Sequence, residues 1–279
     1  MSGAHVSSSD QIIWNWNAVT GANGYKWNST SDYVTATDLG TTTTKTETGL
    51  TCSTTYTRYV WAYNNCGVSS FTVLTDTTLW CCGKSLNDSR DSKTYNTALI
   101  GSQCWMAQNL NIGTMIPGSS EQTNHNSIEK YCYNNEEANC TVYGGLYKWD
   151  NAMQWSTNEG VQGICPIGWH IPADGEWTVL TTFLGGEGIA GGKMKETGYV
   201  HWASPNGGAT NISDFTALPG GGRHENGSFY YLTFNGSFWS SSQSVSSSAW
   251  QRALDCIGEY IVRNNSLKFY GWSVRCLKD

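Results

Sequence analysis

The chain has 279 residues, enough for two domains of ordinary size, and a net charge of −6. Only 14% of residues are charged while 14 are Trp, 15 Tyr and 31 Gly, so there is ample apolar surface to offset chain entropy and disorder is excluded. The acidic balance gives no footprint for nucleic acid or an anionic membrane, and no apolar run is long enough to span a bilayer.

Met1-Ser2-Gly3-Ala4-His5-Val6 has neither a basic nor an apolar region and does not read as a signal peptide. Ten cysteines nevertheless point to an oxidising compartment. The expectation is therefore an exported protein whose sequence here starts inside a longer chain; the alternative is a cytosolic protein with free thiols.

Residues 8–78 read as a first domain, all β. Ile12-Ile13-Trp14-Asn15-Trp16 is a strand, residues 20–24 a turn and Tyr25-Lys26-Trp27 the next strand. Residues 43–48 alternate without apolar side chains, as an exposed edge does. Residues 56–63 alternate with one aromatic face, and Asn64-Asn65-Cys66-Gly67 turns into Ser70-Phe71-Thr72-Val73-Leu74. Short strands at this spacing indicate a β-sandwich. Trp14-Asn15-Trp16, the Gly21–Tyr25 turn, Gly49-Leu50, Tyr56, Ala62-Tyr63-Asn64 and Gly67 together resemble a fibronectin type III domain, with Tyr56 at the family's corner tyrosine. Such a module serves either as a spacer or in glycan or partner binding. Cys52 and Cys66 flank its long strand and are expected to bond to each other, and residues 75–79 to form a short linker.

Residues 80–279 read as a second domain. A strand over 93–100 turns at Gly101-Ser102 into Gln103-Cys104-Trp105-Met106, and residues 111–130 form an exposed loop. Residues 131–140 have the form of a hairpin stapled by Cys132 and Cys140. Leu146, Trp149 and Met153 predict a helix; Trp177, Leu180 and Leu184 predict a clearer one over 174–184, ended by Gly185-Gly186, with Asp174 acting as cap because Ala173 cannot. A glycine-weakened helix over 188–196 and strands at 215–218, 227–234, 237–240, 250–254 and 272–277 follow. Gly220-Gly221-Gly222 reads as a turn cluster. Between Trp239 and Cys276 lies a segment without a clean period, rich in the polar and aromatic residues of recognition surfaces.

Six phrases in order, Ile100-Gly101-Ser102-Gln103-Cys104-Trp105-Met106-Ala107-Gln108-Asn109-Leu110, Tyr143-Gly144-Gly145-Leu146-Tyr147-Lys148-Trp149, Cys165-Pro166-Ile167-Gly168-Trp169-His170-Ile171-Pro172, Phe215-Thr216-Ala217-Leu218-Pro219-Gly220-Gly221, Phe238-Trp239-Ser240-Ser241 and Gly271-Trp272-Ser273-Val274-Arg275-Cys276, closely resemble the Fibrobacter succinogenes major paralogous domain. The resemblance implies an α+β C-type lectin-like fold on a secreted or surface-anchored bacterial protein. Members of that fold include variable proteins of diversity-generating retroelements, whose C-terminal strand region binds other macromolecules.

On this reading Trp239, Gln243, Trp250, Gln251, Asp255, Glu259, Tyr260, Asn264, Asn265 and Tyr270 meet a protein or glycan on another cell or surface, with Arg223 and the loop near Asn124 as rim. Cys165–Cys276 is expected to close the domain and Cys104 to pair with Cys81 or Cys82. One vicinal cysteine and Cys256 are then left over, bonded to each other or unassigned. No cofactor is expected. Asp255, Glu259 and Asn264 or Asn265 offer oxygens for calcium without a calcium-loop spacing, and the cysteines lack paired zinc knuckles. His170 reads as a structural histidine; His201 and His224 as surface or rim; His125 as solvated; His5 as part of the tail. Two rival readings remain: a self-associating subunit of a surface filament or coat, and an enzyme of the formylglycine-generating type, which shares the fold and needs reactive cysteines, here Cys256 and Cys276.

Overall fold

A computed structural model describes residues 2–123 and 127–279. It divides into two compact units, residues 1–81 and 82–279.

In the first unit the alternating strands pair as two antiparallel sheets. One has the order β1 (Val6–Ser7), β2 (Gln11–Asn15), β5 (Thr44–Thr48). The other has β4 (Thr37–Asp38), β3 (Gly24–Asn28), β6 (Thr55–Asn64) and β7 (Gly67–Val68), with β8 (Thr72–Thr77) also on β6. Ile12, Trp14, Trp16, Tyr25, Val60, Ala62 and Leu74 form its core. Residues 75–77, expected in a linker, complete β8. The corner tyrosine behaves as its position implies: the Thr51 N–H donates to the Tyr56 hydroxyl at 2.8 Å. At the edge strand β5, Glu47 accepts the Trp14 indole N–H at 2.9 Å and a fork from Arg58.

Cys52 bonds to Cys81, not to Cys66, which is exposed and free. The reason is length. Cys52 and Cys66 stand beyond opposite ends of the ten-residue strand β6, and at about 3.3 Å per residue that strand holds them roughly 30 Å apart, far beyond disulfide reach.

The second unit is mostly β, with short helices. β9 (Leu86–Asp88) and β10 (Lys93–Tyr95) pair, and β11 (Thr97–Ile100) turns into β12 (Gln103–Met106), with Ile100 opposite Gln103. β13 (Thr114–Met115) pairs with β14 (Glu129–Lys130). Helices α1 (Glu137–Tyr143), α2 (Trp149–Ala152), α3 (Asp174–Phe183) and α4 (Glu187–Met194) are separated by the short β15 (Trp169–His170) before α3. The main sheet has the order β17 (Phe229–Leu232), β16 (Gly220–Arg223), β18 (Asn235–Val245), β19 (Ser248–Asp255), β20 (Val262–Leu267). β21 (Leu277–Lys278) closes the smaller sheet β11-β12-β21-β15.

Several local expectations change. The hairpin expected at 131–140 is a turn followed by α1, with the Cys132–Cys140 bond bridging them. The helix expected from Leu146 shrinks to α2, because Gln154 and Trp155 take left-handed backbones at φ 49° and 58° and stop it. Residues 215–218 are irregular, with Thr216 at φ 51°, and the three glycines expected to turn are instead β16. A Cβ on Gly222 would lie 2.2 Å from the Trp272 ring, so only glycine lets this strand pass beneath the indole. The segment without a clean period contains two regular strands, β19 and β20.

α3 starts without a side-chain cap on Ala173. Glu176 accepts the Ala173 N–H at 2.8 Å, and the Asp174 N–H goes to Ser242 Oγ at 2.9 Å, so a serine from β18 does the work expected of Asp174. Glu176 also holds His170 Nε2 at 3.0 Å, while His170 Nδ1 reaches Asp279 at 2.7 Å. The bond to Glu176 raises the His170 pKa; burial opposes this and Asp279 adds to it. A pKa raised on folding stabilises fully below the unfolded value, near 6.5, and the benefit fades as pH climbs through the folded value. Thermal melts should therefore fall from pH 6 to pH 9, and His170→Gln should flatten that dependence; an unchanged slope in His170→Gln contradicts the assignment.

Candidate functional site

The site begins with cross-strand pairing. Trp239 lies opposite Gln251 and Gln251 opposite Asn264; Phe238 lies opposite Arg252 and Arg252 opposite Arg263; Trp250 faces Asn265. Because side chains alternate across a strand, Trp239, Gln251 and Asn264 share one face of the sheet, and Phe238, Trp250, Arg252, Arg263 and Asn265 the other.

Both faces carry buried residues on β18 and β19 and exposed ones on the edge strand β20, so position across the sheet, not the face, divides the predicted site residues into interior and surface. Trp239 is fully buried and donates its indole N–H to the Tyr147 carbonyl at 2.7 Å. Gln251 is buried beside it. Arg223 is buried over the Tyr131 ring at 4.4 Å, and its guanidinium holds the Gly118 carbonyl at 2.7 and 2.9 Å. Trp239 and Arg223 belong to the frame, not to a recognition surface, because each closes a contact between the sheet and the loops packed on it, and Gln251 is buried with its side-chain oxygen unpaired. Asn124 and His125 lie outside the described residues.

Gln243 is half-buried and accepts Lys268 Nζ at 2.6 Å, while the ammonium rests over the Trp149 ring at 4.1 Å. Asp255 and Tyr260 lock a loop onto itself. Asp255 Oδ1 accepts the Ile257 and Gly258 N–H groups at 2.8 and 2.9 Å, and Oδ2 takes the Tyr260 hydroxyl. Burial raises the Asp255 pKa, but Tyr260, the two amides and Lys195 together outweigh it, so its net direction is down. Beneath the loop, fully buried Lys195 donates to the carbonyls of Gly207, Asp255 and Gly258 at 2.7–3.0 Å. Burial pushes its pKa down, with Asp255 pulling the other way.

What remains at the surface is Glu259, Tyr260, Asn264 and Asn265, with Trp250 and, on a separate cluster, Tyr270 half-buried. Glu259, Asn264 and Asn265 are exposed. The Arg263 guanidinium stacks on half-buried Trp250 at 3.3 Å and bonds Asp174 at 2.8 Å. Asn265 Oδ1 takes the Ser244 hydroxyl at 2.7 Å. The backbones of Trp250, Asn264 and Asn265 are pinned by strand pairing, and the Glu259 carbonyl accepts the Gly192 N–H at 2.7 Å.

Besides Cys132–Cys140, two further expected bridges are present: Cys165–Cys276 spans 111 residues of sequence, and Cys82 is the vicinal cysteine that bonds Cys104. With Cys81 taken by Cys52, neither vicinal cysteine is left for Cys256. Cys256 is a free thiol at 2% exposure in the core with Trp177, Leu254 and Ile261. Of the two cysteines the enzymatic rival needs, one is thus in a disulfide and the other is sealed in the core.

The family profile described as the Fibrobacter succinogenes major domain matches residues 99–278. The chain belongs to this family. The match spans the paired phrases, the Cys165–Cys276 bridge and the whole main sheet, so the candidate surface lies inside the Fibrobacter succinogenes major domain. No curated protein matches the chain. Solved structures similar to it include two titled FN3tt, a mutant and a crystal structure. They are 23% and 22% identical, cover 26% of this chain each and 82% and 79% of their own, with TM-scores of 0.23 and 0.22. A human fibronectin type III domain derived from KIAA0970 is 18% identical, over 28% of this chain and 71% of its own, with a TM-score of 0.22. No helix among the described residues is long and apolar enough to cross a membrane.

Sequence reasoning missed one group. The rings of His224, Tyr230, Tyr231 and Tyr270 lie within 5.0–6.1 Å of a neighbour in a single cluster. The signal was present in Phe229-Tyr230-Tyr231 but read only as a strand.

Proposed function

We propose that the Fibrobacter succinogenes major domain of this protein is an extracytoplasmic, C-type lectin-like display module for recognition of a protein or glycan on another surface, carried beside a fibronectin type III-like spacer. The observation that carries the reading is the division along β19 and β20. Trp239 and Arg223 are buried and hydrogen-bonded, while exposed Glu259, Asn264 and Asn265 and half-buried Trp250 stand on backbone that is itself pinned by hydrogen bonds. Aromatic and amide groups fixed in this way lose little entropy on binding, which is where a recognition surface gains affinity. Four disulfides fit an oxidising compartment.

The test screens the full chain against a glycan array and a displayed library of bacterial surface proteins. A variant carrying Trp250→Ala, Glu259→Ala, Asn264→Ala and Asn265→Ala is screened in parallel. Ligands captured by the wild type should be lost in the variant. Ligands retained undiminished by the variant place recognition elsewhere and overturn the reading.

A further inference from the structure

The main sheet ends at β17, and this edge is irregular in one place. Gly220 pairs with Leu232 and Gly222 with Tyr230, so Gly221 stands opposite Tyr231; both have left-handed backbones, at φ 62° and 61°. Glycine takes that conformation freely, and a Cβ on Gly221 would also lie 2.5 Å from the Tyr230 carbonyl oxygen. A tyrosine takes it only under strain. The Tyr231 side chain touches the Tyr230 ring yet stays 61% exposed. Exposed Trp155 shares this backbone at the end of α2; what sets Tyr231 apart is the aromatic cluster it adjoins.

Around Tyr231 the aromatic groups form a graded series. Trp272 is buried; Tyr230, Tyr270 and His224 are half-buried. Tyr230 meets Tyr231 at 5.1 Å, Trp272 at 5.8 Å and His224 at 6.1 Å, and Tyr270 lies 5.0 Å from His224. The rings meet edge to face at 66–78°, so they make a stepped surface whose most exposed member is Tyr231. His224 Nδ1 accepts the Asn226 N–H at 3.4 Å, and its Nε2 lies 3.3 Å from the Tyr270 hydroxyl. The cation nearest in sequence, Arg223, is buried and committed to carbonyls and Glu121.

We propose that Tyr231, Tyr230, Tyr270 and His224 form a stacking platform for an uncharged sugar ring, distinct from the Trp250–Asn265 patch. It rests on the reading of this domain as a binding module. A pyranose presents an apolar C–H face, which lies on aromatic rings, and a rim of hydroxyls, which pair with the Tyr270 hydroxyl and with exposed Glu225 in the adjoining turn. An extended peptide fits this edge less well, since the irregularity at Tyr231 interrupts the row of backbone groups that strand addition requires.

The test is calorimetric titration of the full chain with cellohexaose, mannohexaose and xylohexaose. At least one should bind, with an affinity insensitive to added salt. Tyr231→Gly and Tyr270→Ala should each weaken it about tenfold, and Tyr231→Phe should keep it. Tyr231→Gly suits the left-handed backbone and should melt no lower than the wild type, so its loss of binding is not a loss of folding. The proposal is overturned if none of the three sugars binds, if Tyr231→Gly binds as tightly as the wild type, or if this edge captures extended peptides but no sugar. The Trp250/Glu259/Asn264/Asn265 variant should bind the sugar unchanged. If instead it alone loses the sugar, the platform is refuted while the display reading stands.

Discussion

Arg275→Ala is expected to lower the stability of the second unit by about 3–5 kcal/mol, the range for stripping a buried charged group from its partners. The side chain is fully buried, and the cation faces four acceptors: Asn109 Oδ1 at 2.6 Å and the carbonyls of Met106, Phe215 and Thr216 at 3.0, 2.5 and 2.9 Å. It also lies over the Phe215 ring at 4.4 Å and the Phe238 ring at 5.5 Å. Burial pushes its pKa down to about 9, so at neutral pH it remains charged. Since the depression accompanies folding, desolvation opposes the fold below that pH, and the hydrogen bonds and rings offset it. Removing the guanidinium leaves the acceptors buried and unpaired. Arg275→Lys keeps the charge but not the planar fork, and should recover only part of the loss. Urea denaturation followed by near-UV circular dichroism measures both; a loss below about 1 kcal/mol for Arg275→Ala would show that the acceptors find other partners.

Removing the Cys165–Cys276 bridge by paired alanine substitution should have a similarly large effect. Closing a loop of 111 residues restricts the unfolded chain enough to add roughly 4–5 kcal/mol. The Cys132–Cys140 bridge closes only 8 residues, and the same arithmetic gives about 2–3 kcal/mol. The ordering is the informative part. Both double variants should be unfolded in urea side by side, and the long bridge should cost more. Equal losses would mean that native packing around each sulfur, not chain entropy, sets the effect.

The features legible in the sequence were those whose signal is local. Trp177, Leu180 and Leu184 recur at helical spacing, and α3 lies over them. Residues 56–63 alternate, and β6 follows. The phrases holding Cys165 and Cys276 carried enough family pattern to pair them. Features that depend on strand register or close approach were not legible. Trp239 and Gln251 looked like recognition residues until their cross-strand partners placed them inside the frame. Gly220–Arg223 looked like a turn because nothing in a run of glycines reveals the Trp272 ring that must pass over it. The Cys52–Cys66 pairing was expected across a strand that was itself legible, and it fails because that strand's ten residues hold its ends apart. The aromatic edge at Tyr231 was hidden because backbone handedness has no signature in a tyrosine.

The central claim is that the frame and the outward patch can be changed independently, and melting temperature tests it most directly. The Trp250/Glu259/Asn264/Asn265 alanine variant should melt within about 4 °C of the wild type. A variant carrying Trp239→Ala, Gln251→Ala and Arg223→Ala should melt far lower or fail to fold. If the two fall together, the outward residues are part of the core and the account is wrong.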